Sequence, residues 1–361
     1  MKPLYIVGTQ RDVGKTTLSI GLVHALRQRR LRVAYTKPVG QRTTTVAGQT
    51  IHDDERVISS LLGPSEHSHE MVVPILAGTV ERGIFDFHPD ELLQNVRVAF
   101  DELKKNHDIV IVEAMGHVAM GSVLGMSAAD VAREIDARAL LVSGGGIGRA
   151  IDDISLCGTF IQSRGADLMG VVVNKVYPEK YDRVKDATTQ ALENLHMISL
   201  GTVPYEEKLV SPTMRQVHEK IAGEIISGQE NMELRVHHTI VAAMLAQHMT
   251  HYIVPGTLVV TPGDRRDNIV AALRAPTGFT GGPSVSGLIL TGGFEVEADL
   301  RRIIEQSGLP VIAVKEDTYA IASKLRETIF KITPDDSQRI QCAMQLVARY
   351  VDVDQLVKLL E

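Results

Sequence analysis

The chain has few cysteines, no long apolar run and no excess of positive charge, and each of these shortages excludes a class of protein. Its 361 residues contain two cysteines, Cys157 and Cys342, too few for a disulfide framework or a metal-ligand cluster. No apolar run approaches the roughly 18 residues of a membrane span. A formal net charge of −6 gives no global basic field that would favour nucleic acid. We therefore expect neither a membrane nor a nucleic-acid partner.

The remaining bulk properties are those of an ordinary globular protein. Hydrophobic residues make up 44% and charged residues 23% of the chain, which is enough apolar material for sizeable cores. The length suggests two or three domains. The chain passes from Met1 directly into a strand-like run, without a signal-peptide layout, so we expect a cytoplasmic location.

The beginning of the chain has the layout of a phosphate-binding loop. A strand-like run, residues 4–7, precedes a turn-rich segment over residues 8–17, and a helix-like run follows from Leu18. In such a loop, backbone N–H groups at a helix N-terminus cradle phosphate oxygens, a lysine neutralises them and a hydroxyl holds Mg²⁺. Lys15 and Thr16 stand where this mechanism needs them, so a nucleoside triphosphate with Mg²⁺ is the first ligand to expect.

The match to the strict pattern G-x-x-x-x-G-K-[ST] has one departure. The pattern has a glycine at the position of Thr9, whereas Gly8 lies one residue earlier. A turn that merely connects a strand to a helix is the alternative interpretation. Gly14, Lys15 and Thr16 are intact at the strand-to-helix junction, which favours the phosphate loop.

Short apolar runs alternate with helical patterns, which is typical of a parallel α/β sheet with helices on both faces. Ligands of such sheets bind at the carboxyl ends of the strands, so the residues that follow each run are candidates for a site. The strand-like runs of the first part are Val33–Tyr35, Ile109–Val112, Ala139–Val142, Gly170–Val173 and Leu200–Val203.

A second, smaller α/β domain is predicted after a change of composition near Ser211. The boundaries that we predict are 1–215 for the first domain, 216–228 for a linker and 229–361 for the second domain. In the second domain we expect a helix over His238–Met249 and three strands. These strands are Leu258–Val260, Gly287–Leu290 and Val311–Val314.

Acidic residues after two strands are candidate metal ligands. Glu113 ends a very apolar strand, where its carboxylate would ligate Mg²⁺ directly or through water. A solvated or helix-capping glutamate is the alternative. Either Asp53 or Asp54 could complete the metal shell, or the pair could open the helix that begins near Glu55. The residues alone leave that choice open.

Three further strand ends carry residues of possible function. Lys37 could neutralise a substrate carboxylate or a transferring phosphoryl group, or it could be a surface lysine. Asn174 and Pro204 end their strands where a nucleotide base would lie. An asparagine amide can hydrogen-bond a base edge, and turn formation is the alternative for both residues.

Five ordered motifs over about residues 1–215 resemble dethiobiotin synthetase. Residues 8–16 resemble its loop G-T-D-T-x-V-G-K-T, early glycine included, and residues 35–39 resemble its strand end Y-K-P-V. Residues 112–117 resemble its V-E-G-A-G-G, and residues 173–175 and 201–204 resemble its adenine-binding ends. Cobyrinic acid a,c-diamide synthases share this half of the chain but need a glutaminase domain with a cysteine nucleophile, for which Cys342 has no suitable setting.

This resemblance implies a P-loop NTPase-type fold that binds ATP and Mg²⁺, and a homodimer. It implies that Thr16, Asp54 and Glu113 ligate the metal. Lys15 and Lys37 would be catalytic, contacting the transferring phosphate and a substrate carboxylate, and Asn174 would read adenine. The nucleotide-binding residues would be Gly8, Thr9, Asp12, Val13, Gly14, Lys15, Thr16, Thr17, Asn174 and Pro204.

The second half resembles a DRTGG domain. Asp264-Arg265 and Thr291-Gly292-Gly293 match the two signature strand ends of that domain. A dethiobiotin-synthetase-like domain followed by a DRTGG domain is similar to the N-terminal half of long phosphotransacetylases.

Departures from the synthetase pattern bear on function. Gln10-Arg11 replaces Asp-Thr in the loop, and Met115 and His117 replace small residues beside Glu113, where the synthetase holds its diamino acid. These changes favour a nucleotide-sensing regulatory protein. An ATPase or ATP-dependent ligase acting on a small carboxylate-bearing substrate is the alternative, and the sequence leaves open whether the chain is an enzyme.

Overall fold

The chain forms two units, and the second is inserted into the sequence of the first. A computed structural model describes residues 1–38, 43–46, 49–62, 89–275 and 284–361, without the side chains of 43–46, 49–54 and 89. The first unit comprises Met1–Glu206 together with Ile332–Glu361, and the second comprises Glu207–Lys331.

The strands belong to three sheets. A six-stranded sheet has the order β2-β5-β1-β6-β7-β8, a five-stranded sheet has the order β10-β11-β12-β13-β9, and β3 pairs with β4 in a hairpin. In chain order the strands are β1 (Leu4–Gly8), β2 (Val33–Thr36), β3 (Thr43–Val46), β4 (Gln49–His52), β5 (Ile109–Glu113), β6 (Arg138–Gly144), β7 (Asp167–Val176), β8 (Ser199–Pro204), β9 (Glu224–Ser227), β10 (His238–Val241), β11 (Thr257–Pro262), β12 (Val285–Thr291) and β13 (Val311–Ala313).

The helices of the described residues complete both units. In chain order they are α1 (Lys15–Gln28), α2 (Asp53–Leu62), α3 (Pro89–Lys105), α4 (Ala128–Glu134), α5 (Gly148–Ser163), α6 (Tyr181–Asn194), α7 (Glu207–Val210), α8 (Met214–Ile221), α9 (Ala246–Met249), α10 (Arg266–Leu273), α11 (Ala298–Ser307), α12 (Thr318–Glu327), α13 (Ser337–Tyr350) and α14 (Val353–Leu360). Short 3-10 helices cover Ser122–Leu124, Pro178–Lys180, Gln229–Asn231 and Thr250–Tyr252. Among these described helices, none has the length and apolar character that crossing a membrane requires.

The six-stranded sheet is parallel throughout and is buried on both faces. Tyr5 and Val7 of the central strand β1 share one buried cluster with Phe100 of α3 and Ile154 of α5. The alternate β1 residues, 4 and 6, are fully buried on the opposite face, because successive side chains of a strand point to opposite sides. Burial on both faces explains the unbroken apolar runs in the sequence. The predicted parallel α/β sheet is confirmed.

The second unit is also an α/β sheet, with one antiparallel edge. Strand β9 runs antiparallel to β13, and the other neighbouring strands are parallel. Leu288 and Ile289, adjacent in β12, contribute to two different buried clusters, so this sheet too is covered on both faces.

The helix predicted over His238–Met249 is wrong. Residues His238–Val241 form strand β10, which pairs in parallel with β11 at Ile240 and Val259, and only Ala246–Met249 is helical. The β-branched run Thr239, Ile240, Val241 suits a strand, because such side chains lose χ1 freedom in a helix and pack well on a pleated surface.

The units differ from the predicted domain boundaries at two places. Residues predicted as a linker, 216–228, contain most of α8 and all of β9. The C-terminal helices α13 and α14, predicted in the second domain, belong to the first unit. There the Asp352 N–H donates to the Leu200 carbonyl at 2.9 Å, and the Lys2 N–H donates to the Leu360 carbonyl at 2.8 Å.

A close helix contact at Gly21 predicts a specific loss of stability. A Cβ on Gly21 of α1 would lie 2.3 Å from Val347 Cγ2 and 2.9 Å from the Ala343 carbonyl of α13. We expect Gly21→Ala to lower the free energy of unfolding by about 1–3 kcal/mol, because overpacking outweighs the gain in helix propensity. Equilibrium urea unfolding followed by circular dichroism measures this loss.

The matched control for this prediction is Gly148→Ala at the start of α5. A Cβ there would meet no atom within 4 Å, so the substitution should leave stability unchanged or raise it by up to about 1 kcal/mol. Equal stability of the two variants would contradict the packing of α13 on α1.

Candidate functional site

The segment from β1 to α1 forms a loop that ends in an uncapped helix N-terminus. The Thr9 N–H donates to the Val142 carbonyl of β6 at 3.0 Å, which ties the loop to the sheet. Gly14, at φ 98°, adopts the left-handed conformation that glycine tolerates best, and it supplies no side-chain cap to α1. The first N–H groups of a helix lack intrahelical partners and carry partial positive charge, so this end of α1 favours an anion.

The Lys15 side chain folds back over the loop. It is buried, and its Nζ donates to the Gly116 carbonyl at 2.6 Å. The ammonium passes over the end of β1, since a Cβ on Gly8 would lie only 3.0 Å from Lys15 Nζ. The glycine that stands one residue early in the sequence pattern therefore makes room for the lysine.

The Glu113 carboxylate lies at the centre of the site and is 1% exposed. Its Oε1 accepts from Thr16 Oγ1 at 2.9 Å and pairs with Lys37 Nζ at 3.1 Å. Its Oε2 accepts from Ser19 Oγ and from Tyr35 Oη, each at 2.9 Å. Four donors, from α1, from β2 and from the residue that follows β2, thus compensate the desolvation of one buried charge.

The sheet register explains why these donors converge. Strand β5 lies between β1 and β2, with Glu113 opposite Ile6 and Val112 opposite Thr36. Helix α1 follows β1, so its first turn lies at the carboxyl ends of these strands, where Thr16 and Ser19 reach Glu113. Thr16 and Ser19 are three residues apart on α1 and therefore lie on one face of the helix.

The predicted metal ligands are brought together only in part. Thr16 and Glu113 are in contact, whereas the side chains of Asp53 and Asp54 lie outside the described residues. Helix α2 begins at Asp53, so both aspartates are in its first turn. No three His, Cys, Asp or Glu side chains come together as a metal-binding group in the part of the chain whose side chains are described.

Asn174 lies against the loop, while Pro204 lies at the end of the neighbouring strand. Asn174 is buried in β7, and its Nδ2 donates to the Val13 carbonyl at 2.8 Å. Pro204 is the last residue of β8 and is half-buried. The roles in base binding that the resemblance implies for these two residues stay predictions.

Three residues that contact Glu113 or the loop were not among the predicted site residues: Ser19, Tyr35 and Lys175. Ser19 could have been predicted from its helical spacing after Thr16, and Lys175 from its position next to Asn174. The hydroxyl of Tyr35 reaches Glu113 only through strand pairing, for which the sequence carries no local signal. Lys175 Nζ donates to the Asp12 carbonyl at 2.6 Å; burial lowers the pKa of its ammonium, and Asp12 opposes that shift.

The segment after Glu113 packs closely on itself. A Cβ on Gly116 would lie 2.5 Å from Met120 Cε, so the methionine packs directly over this glycine. Met115 is half-buried, and His117 is exposed, with its Nδ1 accepting from the Ala119 N–H at 3.2 Å. Cys157 Sγ lies 3.9 Å from the Thr9 carbonyl of the loop, and burial raises the pKa of its thiol to about 11, which agrees with an unreactive cysteine.

The signature residues of the second unit also stand at strand ends. Arg265, after β11, binds Asp267 through two hydrogen bonds of 2.9 Å, and this partner lowers the pKa of Asp267 to about 2. Thr291, the last residue of β12, shares a 2.7 Å hydrogen bond with the hydroxyl of Thr318. The predicted motif positions at two neighbouring strand ends are confirmed.

Comparison with known families agrees with this layout. A model described as an AAA domain matches residues 2–213, and a DRTGG domain model matches residues 216–328. The chain belongs to this AAA domain family. The predicted order, a P-loop AAA domain followed by a DRTGG domain, and the predicted relation to phosphotransacetylases are confirmed.

The chain spans about half the length of the curated relatives it matches. Phosphate acetyltransferase of Pseudomonas putida is 28% identical over 366 residues, covering 98% of this chain and 51% of the relative. The Pseudomonas aeruginosa enzyme of that name is 28% identical, covering 99% and 52%. Among solved structures, the MinC:MinD cell division protein complex of Aquifex aeolicus is similar at a TM-score of 0.39 and 18% identity, over 58% of this chain and 84% of that one.

Proposed function

We propose that the AAA domain binds ATP with Mg²⁺ at the loop between β1 and α1. The observation that carries the proposal is the convergence of Lys15, Thr16 and the buried Glu113 at the N-terminus of α1. A lysine, a hydroxyl and a helix N-terminus together match the needs of a polyphosphate: charge neutralisation, metal ligation and N–H donors. The implied adenine specificity belongs to the same proposal.

The donor set fits Mg²⁺. A hydroxyl and a carboxylate oxygen 2.9 Å apart are ligands of the hard type that this ion prefers. Thr16 and Glu113 would hold the ion, with Asp54 as the further ligand that the family resemblance implies. When bound, the ion would neutralise charge on the phosphates. Lys37, now paired with Glu113, would lie close enough to share in that neutralisation.

We assign the AAA domain a nucleotide-sensing, regulatory role rather than a synthetic one. Met115 and His117 replace small residues of the segment after Glu113, where the synthetase holds its diamino acid, and Met120 packs over Gly116 of the same segment. The resemblance to the N-terminal half of long phosphotransacetylases, and the relation to proteins named phosphate acetyltransferase over about half of their length, support this regulatory role. A second copy of the chain is the partner that the family resemblance implies.

The position of Lys37 supports the alternative, an ATP-dependent ligase. This buried ammonium lies 3.1 Å from Glu113 Oε1, beside the proposed phosphate site, where it would bind a substrate carboxylate or a transferring phosphoryl group. Steady release of ADP with a small carboxylic acid would favour the ligase. Nucleotide binding without such turnover would favour the regulatory role.

The first prediction from this site concerns Lys15. Lys15→Ala should weaken ATP binding about 10- to 100-fold, because it removes charge-assisted hydrogen bonds to the phosphates. Isothermal titration with Mg²⁺ and ATP measures the change, and Lys15→Met gives the same loss while keeping the side-chain volume. The control is Lys104→Ala on the exposed surface of α3. Wild-type affinity in both Lys15 variants would refute binding at this loop.

A second prediction separates the metal from the nucleotide. Glu113→Gln keeps the size of the side chain and removes its charge, so ATP binding in EDTA should persist. The gain in affinity on adding Mg²⁺ should fall about 10-fold or more, because the carboxylate is lost as a ligand. The exposed Glu102→Gln is the control. An undiminished Mg²⁺ effect in Glu113→Gln would rule out a role for this carboxylate in metal binding.

A further inference from the structure

Two consecutive residues at the end of β7 hold the phosphate loop by its carbonyl groups. Asn174 Nδ2 donates to the Val13 carbonyl at 2.8 Å, and Lys175 Nζ donates to the Asp12 carbonyl at 2.6 Å. These contacts join segments more than 160 positions apart in the sequence and secure two successive peptide groups of the loop.

The Asn174 amide is engaged within the protein at both of its ends. Its Oδ1 accepts the Lys175 N–H at 2.8 Å, while Nδ2 binds the loop, and the side chain is 5% exposed. A Cβ on Gly14 would lie 2.2 Å from Asn174 Nδ2, so the amide presses directly on the backbone at the start of α1. An amide in this position faces the loop rather than an open strand-end crevice.

The backbone at Lys175 adds to this arrangement. Its φ of 61° is left-handed, and Asp12 on the loop has a φ of 58°. Such conformations are unfavourable for residues other than glycine and persist where surrounding contacts hold them. The hydrogen bonds of Asn174 and Lys175 are contacts of this kind, since they join these two segments.

Holding the two carbonyls also orients two donors. In a trans peptide, the C=O of one residue and the N–H of the next point in opposite directions. With the Asp12 and Val13 carbonyls directed at β7, the N–H groups of Val13 and Gly14 point away from it. Backbone N–H groups turned out of a loop in this way are the ligands that phosphate oxygens require.

We propose that Asn174 and Lys175 are positioning residues that set the conformation of the phosphate loop, and so promote polyphosphate binding whatever base is attached. This inference rests on the proposed binding of a nucleotide at the loop. It differs from the base-reading role that the family resemblance implies for Asn174, because it makes the contribution of the amide independent of the base.

The test compares ligands that share phosphates and differ in base. Titrations with Mg²⁺ use ATP, GTP and inorganic tripolyphosphate, which has no base. Asn174→Ala and Lys175→Met should each lower the affinity for every one of these ligands that the wild-type chain binds. The loss should be similar for all of them, about 10-fold. Lys175→Arg keeps a donor and should recover part of the loss. Lys180→Met, on the exposed surface just beyond β7, is the matched control and should bind as wild type.

A second measurement needs no ligand. Amide hydrogen exchange over residues 9–17 should be faster in Asn174→Ala and in Lys175→Met than in wild type, with unchanged exchange in β1 and β6. Asn174→Asp keeps the acceptor for Lys175 but places an oxygen against the Val13 carbonyl, so its loop should exchange at least as fast as that of Asn174→Ala.

The outcomes separate the two proposals. If Asn174→Ala weakens ATP alone, leaving tripolyphosphate binding and loop exchange at wild-type values, Asn174 reads the base and the positioning role is refuted. Unchanged loop exchange in both variants refutes it as well. If the wild-type chain binds none of the three ligands, the proposed function fails, while loop exchange still decides whether Asn174 and Lys175 hold the loop.

Discussion

The buried carboxylate of Glu113 is the group on which the rest of the site depends. Transferring an unpaired charge into the interior costs several kcal/mol, so the fold has to supply donors around it. Those donors come from α1, from β2 and from the residue that follows β2. Compensating one charge therefore fixes how the strand ends and the helix N-terminus meet. Oε2 is held by Ser19 and Tyr35, while Oε1 faces Thr16 and Lys37, on the side of the proposed phosphate site.

The phosphate loop owes its conformation to contacts from several neighbours. A carbonyl of β6 accepts a hydrogen bond from the Thr9 N–H, and a carbonyl of the segment after β5 accepts one from the Lys15 ammonium. Two side chains at the end of β7 donate to two carbonyls of the loop. A glycine-containing loop without such contacts would have more conformations available and would lose more entropy on binding a ligand. The sheet thus preorganises the loop, and residues remote in sequence contribute to what looks like a local motif.

The insertion of the second unit has a consequence for the first. The first unit, which contains most of the AAA domain match, is completed by α13 and α14, and these helices come after the DRTGG domain in the chain. Helix α13 packs on α1, the helix that carries Thr16 and Ser19, and the segment around Val351 pairs with Gly201 of β8. The chain therefore enters and leaves the DRTGG domain through the AAA domain, so two covalent connections join the units.

Local patterns were enough to predict the strand–loop–helix at the N-terminus and the parallel strands of the six-stranded sheet. They also selected Lys15, Thr16 and Glu113 as candidate site residues, whose roles stay predictions. Such features depend on neighbours within a few residues, and buried parallel strands leave unmistakable apolar runs. Tertiary structure decided what depends on distant pairing: that His238–Val241 is a strand, that α13 and α14 return to the first unit, that Tyr35 reaches Glu113, and that Asn174 contacts the loop. Apolar periodicity indicates that a face will be buried but not which surface will cover it, and the hydrogen bonds at issue join residues far apart in the chain.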